Sequence, residues 1–168
     1  MPKVILHTHI KAPMERCFRL ALSVDVHMSS TSGTREKAIA GVTSGVMKLH
    51  DTVTWRARHF GVTQTLTSKI TLCDEPHEFV DEMLQGIFQK IHHRHVFRAA
   101  GSDTLMIDEF EYEAPLGILG WIAERLFLTR YLRRFLIARN AYLAQLAEGE
   151  GWRKYLENGF IDPEKKPV

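Results

Sequence analysis

The stretch VILHTHI (4–10) alternates. Val4, Leu6, Thr8 and Ile10 fall on one face, and Ile5, His7 and His9 on the other. A period of two is that of a half-buried strand, so the even-numbered face is predicted to be inside and His7 and His9 in water. Ala12-Pro13 ends this strand, because proline cannot continue a ladder and its fixed φ suits a first helical turn. The period then lengthens. Met14, Cys17, Phe18, Ala21 and Leu22 recur at helical spacing, which predicts a short helix, with a second short helix around 23–28 and a loop at 29–33.

Period two returns from 34 to 115. Strands are predicted at about 34–40, 50–60, 62–73, 78–84, 88–99 and 104–113. Gly61, Asp74-Glu75-Pro76, Gly86 and Ala100-Gly101-Ser102-Asp103 separate most of them. Such short breaks make hairpins, and successive hairpins make an antiparallel meander. Long strands in a meander curl as twist accumulates. After Pro115 a proline-free helical pattern runs over roughly 118–148. Its second half carries the stripe Leu128, Leu132, Phe135, Leu136, Arg139, Tyr142, Leu143 and Leu146. Its first half, GILGWIAERLFL (117–128), is apolar nearly all round, and Gly117 and Gly120 add backbone freedom. Such a segment needs packing against the short helices, a self-association surface that would make the chain a homodimer, or a place as a lid.

The expected architecture is α+β: a curved antiparallel sheet of about seven strands wrapped around a long C-terminal helix. Two short helices follow the first strand, and curvature leaves an internal cavity between sheet and helix. One domain is expected over 1–148, with a polar tail at 149–168 that holds at most a short turn near 152–156.

Composition changes this picture little. The chain has 168 residues and a formal net charge of +2, so nothing in it calls for nucleic acid. Arg125, Arg130, Arg133, Arg134 and Arg139 sit at scattered helical angles among Glu124 and Glu148, which reads as a solvated face. Cys17 and Cys73 match no metal or redox spacing and read as free thiols of a reducing cytoplasm. No apolar run is long enough for a signal peptide or a span, so stable membrane insertion is not expected.

Five segments resemble a known superfamily: VTWRARHFG (53–61), FVDEMLQGIF (79–88), HHRHVF (92–97), MIDEFEYEAPLGILG (106–120) and LTRYLRRFL (128–136). Together with the element order they are similar to the SRPBCC, or helix-grip, superfamily over about 3–147. That group takes in START domains, birch-pollen-allergen-like proteins and a bacterial polyketide cyclase/dehydrase-like branch, to which the resemblance is greatest. Ile87, after Gly86, departs from the pattern, which would have proline there. The resemblance implies an internal cavity that carries, senses or transforms a small hydrophobic or amphipathic molecule.

The inward faces nominate the cavity wall: Trp55, His59, Gln64, Leu66, Ile91, His93, His95, Phe97, Met106, Asp108, Phe110 and Tyr112. His93 and His95 share a strand face next to the strand of Asp108, so either imidazole can meet the carboxylate directly or diagonally. Three readings of this cluster stand: a satisfied buried polar network, a ligand-orienting site, or an acid/base dyad with His93, His95 and Asp108 as catalytic candidates. A metal site would need His59 as third ligand. His-x-His alone is a weak signal, so no metal and no cofactor is expected. Function is then expected to be ligand binding or carriage, with a cyclase- or dehydratase-type enzyme as the alternative.

Overall fold

The computed structural model describes residues 2–59, 61–115 and 127–156. Among them seven strands form one antiparallel sheet: β1 (Lys3–Ile10), β2 (Lys37–Gly41), β3 (Thr52–His59), β4 (Val62–Asp74), β5 (Glu78–Gln85), β6 (Lys90–Ala100) and β7 (Asp103–Glu113). Helices α1 (Met14–Ala21) and α2 (Val24–Ser30) follow β1, α3 (Thr129–Glu148) follows β7, and a single turn, α4 (Arg153–Leu156), comes after it. The spatial order is β1-β7-β6-β5-β4-β3-β2. Each strand from β2 to β7 lies beside its sequence neighbour, and β1 joins at the far end against β7. Helix α3 packs on β1, α1 and α2. This is the helix-grip architecture.

Alternation sets the faces as expected. Val4, Leu6 and Ile10 of β1 are buried while Ile5, His7 and His9 are exposed. In β6, Ile91, His93, His95 and Phe97 are buried, and Arg94 turns outward, where its Nε donates to Glu78 Oε2 at 2.7 Å. The pattern breaks in β4. Its pairing with β5 shifts register between Ile70 and Leu72. An unpaired residue flips every later side chain to the other face. Ile70 is therefore buried, but Leu72, expected inside, is exposed, and Cys73 packs against the core instead.

Two boundaries differ from expectation. The strand expected from 34 begins at Lys37, because Ser32–Thr34 forms a 3-10 turn. The Thr34 N–H and hydroxyl both turn back to the Thr31 carbonyl, at 3.0 and 2.9 Å. The packed unit also runs past 148. Trp152 and Leu156 belong to the core, and the Arg16 guanidinium lies 4.4 Å from the Trp152 ring centre while donating to the Ala147 carbonyl. Gly41 is required at the end of β2: its φ is +73°, and a Cβ there would stand 2.1 Å from the Thr52 carbonyl oxygen.

Most of the apolar stretch at 117–128, with Gly117, Gly120, Glu124 and Arg125, lies outside the described residues, as does 157–168. Among the described residues no helix is long and apolar enough to cross a membrane.

Candidate functional site

Register decides which inward side chains meet. Asp81 of β5 pairs with His93 of β6, Phe79 with His95, and His95 in turn with Asp108 of β7. The His93 and His95 rings lie 3.8 Å apart between centres. His95 stacks on Phe79 at 4.2 Å, and His93 meets the edge of Phe110 at 5.0 Å. Aromatic walls thus hold both imidazoles in place.

Asp108 is the anchor of the cluster and is fully buried. Its Oδ1 accepts from His93 Nε2 at 3.0 Å, and its Oδ2 from Asn140 Nδ2 at 2.6 Å. His95 Nδ1 lies 2.7 Å and Arg139 Nη1 3.7 Å from Oδ1. Burial would push this carboxyl up, but the imidazoles of His95 and His93 outweigh it and hold the acid well below the usual range. Burial pushes His93 down to about 4, with His95 adding to the effect against the opposing pull of Asp108 and Asp81. His93 is therefore a neutral imidazole at neutral pH. Its proton sits on Nε2, facing the carboxylate, and Nδ1 is left as an acceptor.

Nδ1 of His93 points to the side of Asp81, whose Oδ2 is 3.9 Å away and 3.5 Å from His95 Nε2. These three donor atoms all lie within 4.8 Å of one another, a grouping that could hold a metal ion. Burial would raise the Asp81 acid, yet the nearby His95, His93 and Arg139 bring it below its usual value.

A cavity of about 150 Å³ opens next to this cluster. Val53, Trp55, Leu66, Ile91, Phe110 and Leu132 supply apolar wall, and Asp81, His93 and Arg139 supply a polar side from β5, β6 and α3. A second polar group comes from the β2–β3 side. Glu36 Oε2 is 3.3 Å from His27 Nε2, the His27 ring stacks on Trp55 at 4.2 Å, and His59 Nδ1 shares a 2.6 Å hydrogen bond with the Tyr131 hydroxyl. Burial lowers the pKa of His59. A wider depression of about 780 Å³ between Arg19, Asp25, Ser44 and Tyr155 is an open surface groove away from these buried groups.

Of the residues nominated from sequence, Trp55, His59, Leu66, Ile91, His93 and Phe110 line the cavity. Gln64, His95, Phe97, Met106, Asp108 and Tyr112 do not. The inward faces of the strands are longer than the cavity, and helices cover the remainder. Phe97 packs between Phe18 and Phe79 where α1 meets β6, and Met106 lies in the same cluster. Tyr112 bonds Thr129 Oγ1 at 2.6 Å at the start of α3. Asp108 and His95 stand one layer behind His93.

Sequence reasoning missed Asp81, Asn140 and Glu36. Asp81 had a readable signal: Phe79, Asp81 and Met83 share one face of β5, an acid between two apolar residues, just as Asp108 stands between Met106 and Phe110. The sequence carries Arg139 both on the apolar stripe of the helix and among its scattered arginines, which read as solvated. It is buried, since it falls on the same helical stripe as Leu132, Leu136 and Leu143 and reaches Asp108. His59, the third metal ligand considered from sequence, stands outside the Asp81, His93 and His95 grouping.

No protein-family model and no curated protein matches the chain. Solved structures match its shape. The Zhui aromatase/cyclase from a Streptomyces species superposes with a TM-score of 0.67 at 15% identity, over 95% of this chain and 99% of that one. A START superfamily protein from Mycobacterium smegmatis gives 0.65 at 15% identity, over 86% and 98%. A major latex-like protein from Panax ginseng gives 0.63 at 19% identity, over 88% and 98%. The fold of this chain is therefore the helix-grip fold, shared with these START, major latex-like and aromatase/cyclase structures.

Proposed function

We propose that the protein binds a small amphipathic molecule in the cavity beneath α3. The observation that carries this reading is an apolar pocket with charged groups on one side, Asp81, His93 and Arg139. Small-molecule sites combine an apolar wall with a few fixed polar groups in this way. Size narrows the class. A volume of about 150 Å³ matches a cavity that takes one benzene-sized ring. The ligand is thus a single ring or a short branched chain bearing one polar oxygen, and a long acyl chain is too large. Titration of the protein with phenol-sized probes, followed by NMR shifts of the Trp55 and Ile91 resonances, tests this. Saturable shifts that vanish in Trp55→Glu support it, and shifts that persist in that variant place the ligand elsewhere.

A second reading, a cyclase- or dehydratase-type enzyme, is favoured by His93, whose Nδ1 is left as an acceptor on the side of Asp81. His93 lines the cavity, and its Nε2 is held by a carboxylate, the arrangement of an oriented general base. Turnover of β-keto or hydroxy-carbonyl substrates that is lost in His93→Gln would favour it over simple binding.

A further inference from the structure

We propose that Asp81, His93 and His95 form a binding site for a divalent first-row metal ion, zinc(II) or iron(II), in the wall of the cavity. Asp81 Oδ2 stands 3.5 Å from His95 Nε2 and 3.9 Å from His93 Nδ1. With metal–ligand bonds of about 2.1 Å, donors around a tetrahedral ion stand about 3.4 Å apart. The three donor atoms lie within 4.8 Å of one another, so the two Asp81 edges are near the tetrahedral spacing and side-chain rotation of the imidazoles closes the rest.

Hydrogen bonding explains the arrangement less well. His95 is fully buried, yet neither ring nitrogen makes an aligned hydrogen bond among the described residues. Its Nδ1 touches Asp108 Oδ1 off the N–H axis, and its Nε2 faces Asp81. An imidazole left so is costly unless the free nitrogen ligates something. The rear of the site is also built. Both imidazoles turn their second nitrogen to Asp108 Oδ1, and Asn140 holds the other oxygen of that carboxylate. A carboxylate behind ligand histidines fixes their tautomers and raises their basicity.

Charge and ligand type agree. Two carboxylates, Asp81 and Asp108, face this cluster with the guanidinium of Arg139 3.7 Å from Asp108 Oδ1, an acidic surrounding that suits a dication. Two nitrogens and one oxygen, without thiolate, suit zinc or iron(II). Three protein ligands leave a coordination position open, as in catalytic rather than structural sites. Asp81 and His93 line the cavity, so that position faces it and takes water, or an anionic oxygen such as a phenolate or carboxylate. The site shares the cavity of the proposed ligand but does not depend on what binds there.

The test is metal titration of chelator-stripped protein with cobalt(II) and zinc(II), read by visible d–d bands and by elemental analysis after desalting. One equivalent per chain is expected, with zinc displacing cobalt and shifting the His93 and His95 imidazole resonances. Asp81→Asn keeps the side-chain volume and should weaken binding at least about 100-fold, beyond the roughly 10- to 100-fold of outer-shell changes. His9→Ala, at an exposed histidine 3.3 Å from Asp103, should change nothing. No retained equivalent, unmoved His93 and His95 resonances, or unaltered binding by folded Asp81→Asn would each overturn the site. If Asp81→Asn does not fold, the wild-type resonances decide. Phenol-sized probes titrated into stripped protein report on the ligand cavity separately, so either conclusion can fail without the other.

Discussion

His93 Nε2 and Asp108 Oδ1 form a 3.0 Å hydrogen bond between residues that are not register partners: Asp108 pairs with His95, and His93 with Phe110. The bond is diagonal across the β6–β7 ladder. That diagonal lets one carboxylate oxygen meet two imidazoles, His95 from directly opposite and His93 from two residues along. It also explains why the cavity sees His93 and Asp81 while Asp108 stays behind them.

Removing the anchor should be costly. Asp108→Ala strips partners from His93 Nε2, Asn140 Nδ2 and the Arg139 guanidinium at once, all of them buried. Breaking a buried charged network by deleting one member costs about 3–5 kcal/mol. Urea unfolding should show that loss with an unchanged slope. A loss below about 1 kcal/mol would mean that the network contributes little beyond what water could replace.

Phe97 belongs to the core and not to the cavity wall. It is 2% exposed and packs against Phe18 and Phe79, at 5.4 and 6.1 Å between ring centres. Phe97→Ala should destabilise by about 3–5 kcal/mol, yet leave the affinity for a ring-sized probe within about twofold, since Phe97 does not touch the cavity. Lost probe binding at a temperature where the variant is folded would return Phe97 to the wall.

How much of this was legible follows from period and reach. Alternation within a strand is local, so the burial of His93, His95 and Phe97 on one face of HHRHVF could be read directly. The diagonal bond to Asp108 was within reach because β6 and β7 are consecutive and joined by a short turn. The bulge in β4 was hidden, since Leu72 obeys the alternation that its own strand abandons. Arg139 was hidden for a different reason. A charged residue on a helix reads as solvated unless a buried countercharge is known to face it, and Asp108 lies 31 positions away in a different element. The cavity's extent could not be read at all, because it depends on how far α1 and α3 cover strands whose inner faces look alike.

The Cys17 thiol gives a pH dependence. Burial pushes it up from 9.0 to about 11. Folding therefore favours the neutral thiol. Its contribution is complete below pH 9 and is lost as pH rises towards 11, by about 3 kcal/mol for two pKa units. Melting temperatures of wild type and Cys17→Ala should differ by a constant below pH 9, and the gap should shift against wild type above it. At about pH 8 a thiol reagent should label the half-buried Cys73 and spare Cys17 until the protein unfolds. Equal labelling of both cysteines in folded protein contradicts the burial of Cys17.

Arg139 and Arg133 are on the same helix and should behave oppositely. Arg133 is exposed, so Arg133→Ala should change stability by no more than about 0.5 kcal/mol. Arg139 is 7% exposed, stands 3.7 Å from Asp108 Oδ1, and offers the positive side of the cavity. Arg139→Met keeps length and apolar contact but leaves the buried carboxylates with one fewer countercharge, which should cost several kcal/mol, within the roughly 3–5 kcal/mol of a broken buried pair. The same substitution should discriminate between ligands. A ring-sized probe carrying a carboxylate should lose affinity by tenfold or more, the equivalent of about 1.4 kcal/mol, whereas the neutral ring of the same shape should lose much less. Denaturation curves for both variants and a paired titration with benzoate and toluene would check this. If Arg133→Ala weakens binding while Arg139→Met leaves both probes unaffected, recognition takes place on the outer face of α3 and not in the cavity beneath it.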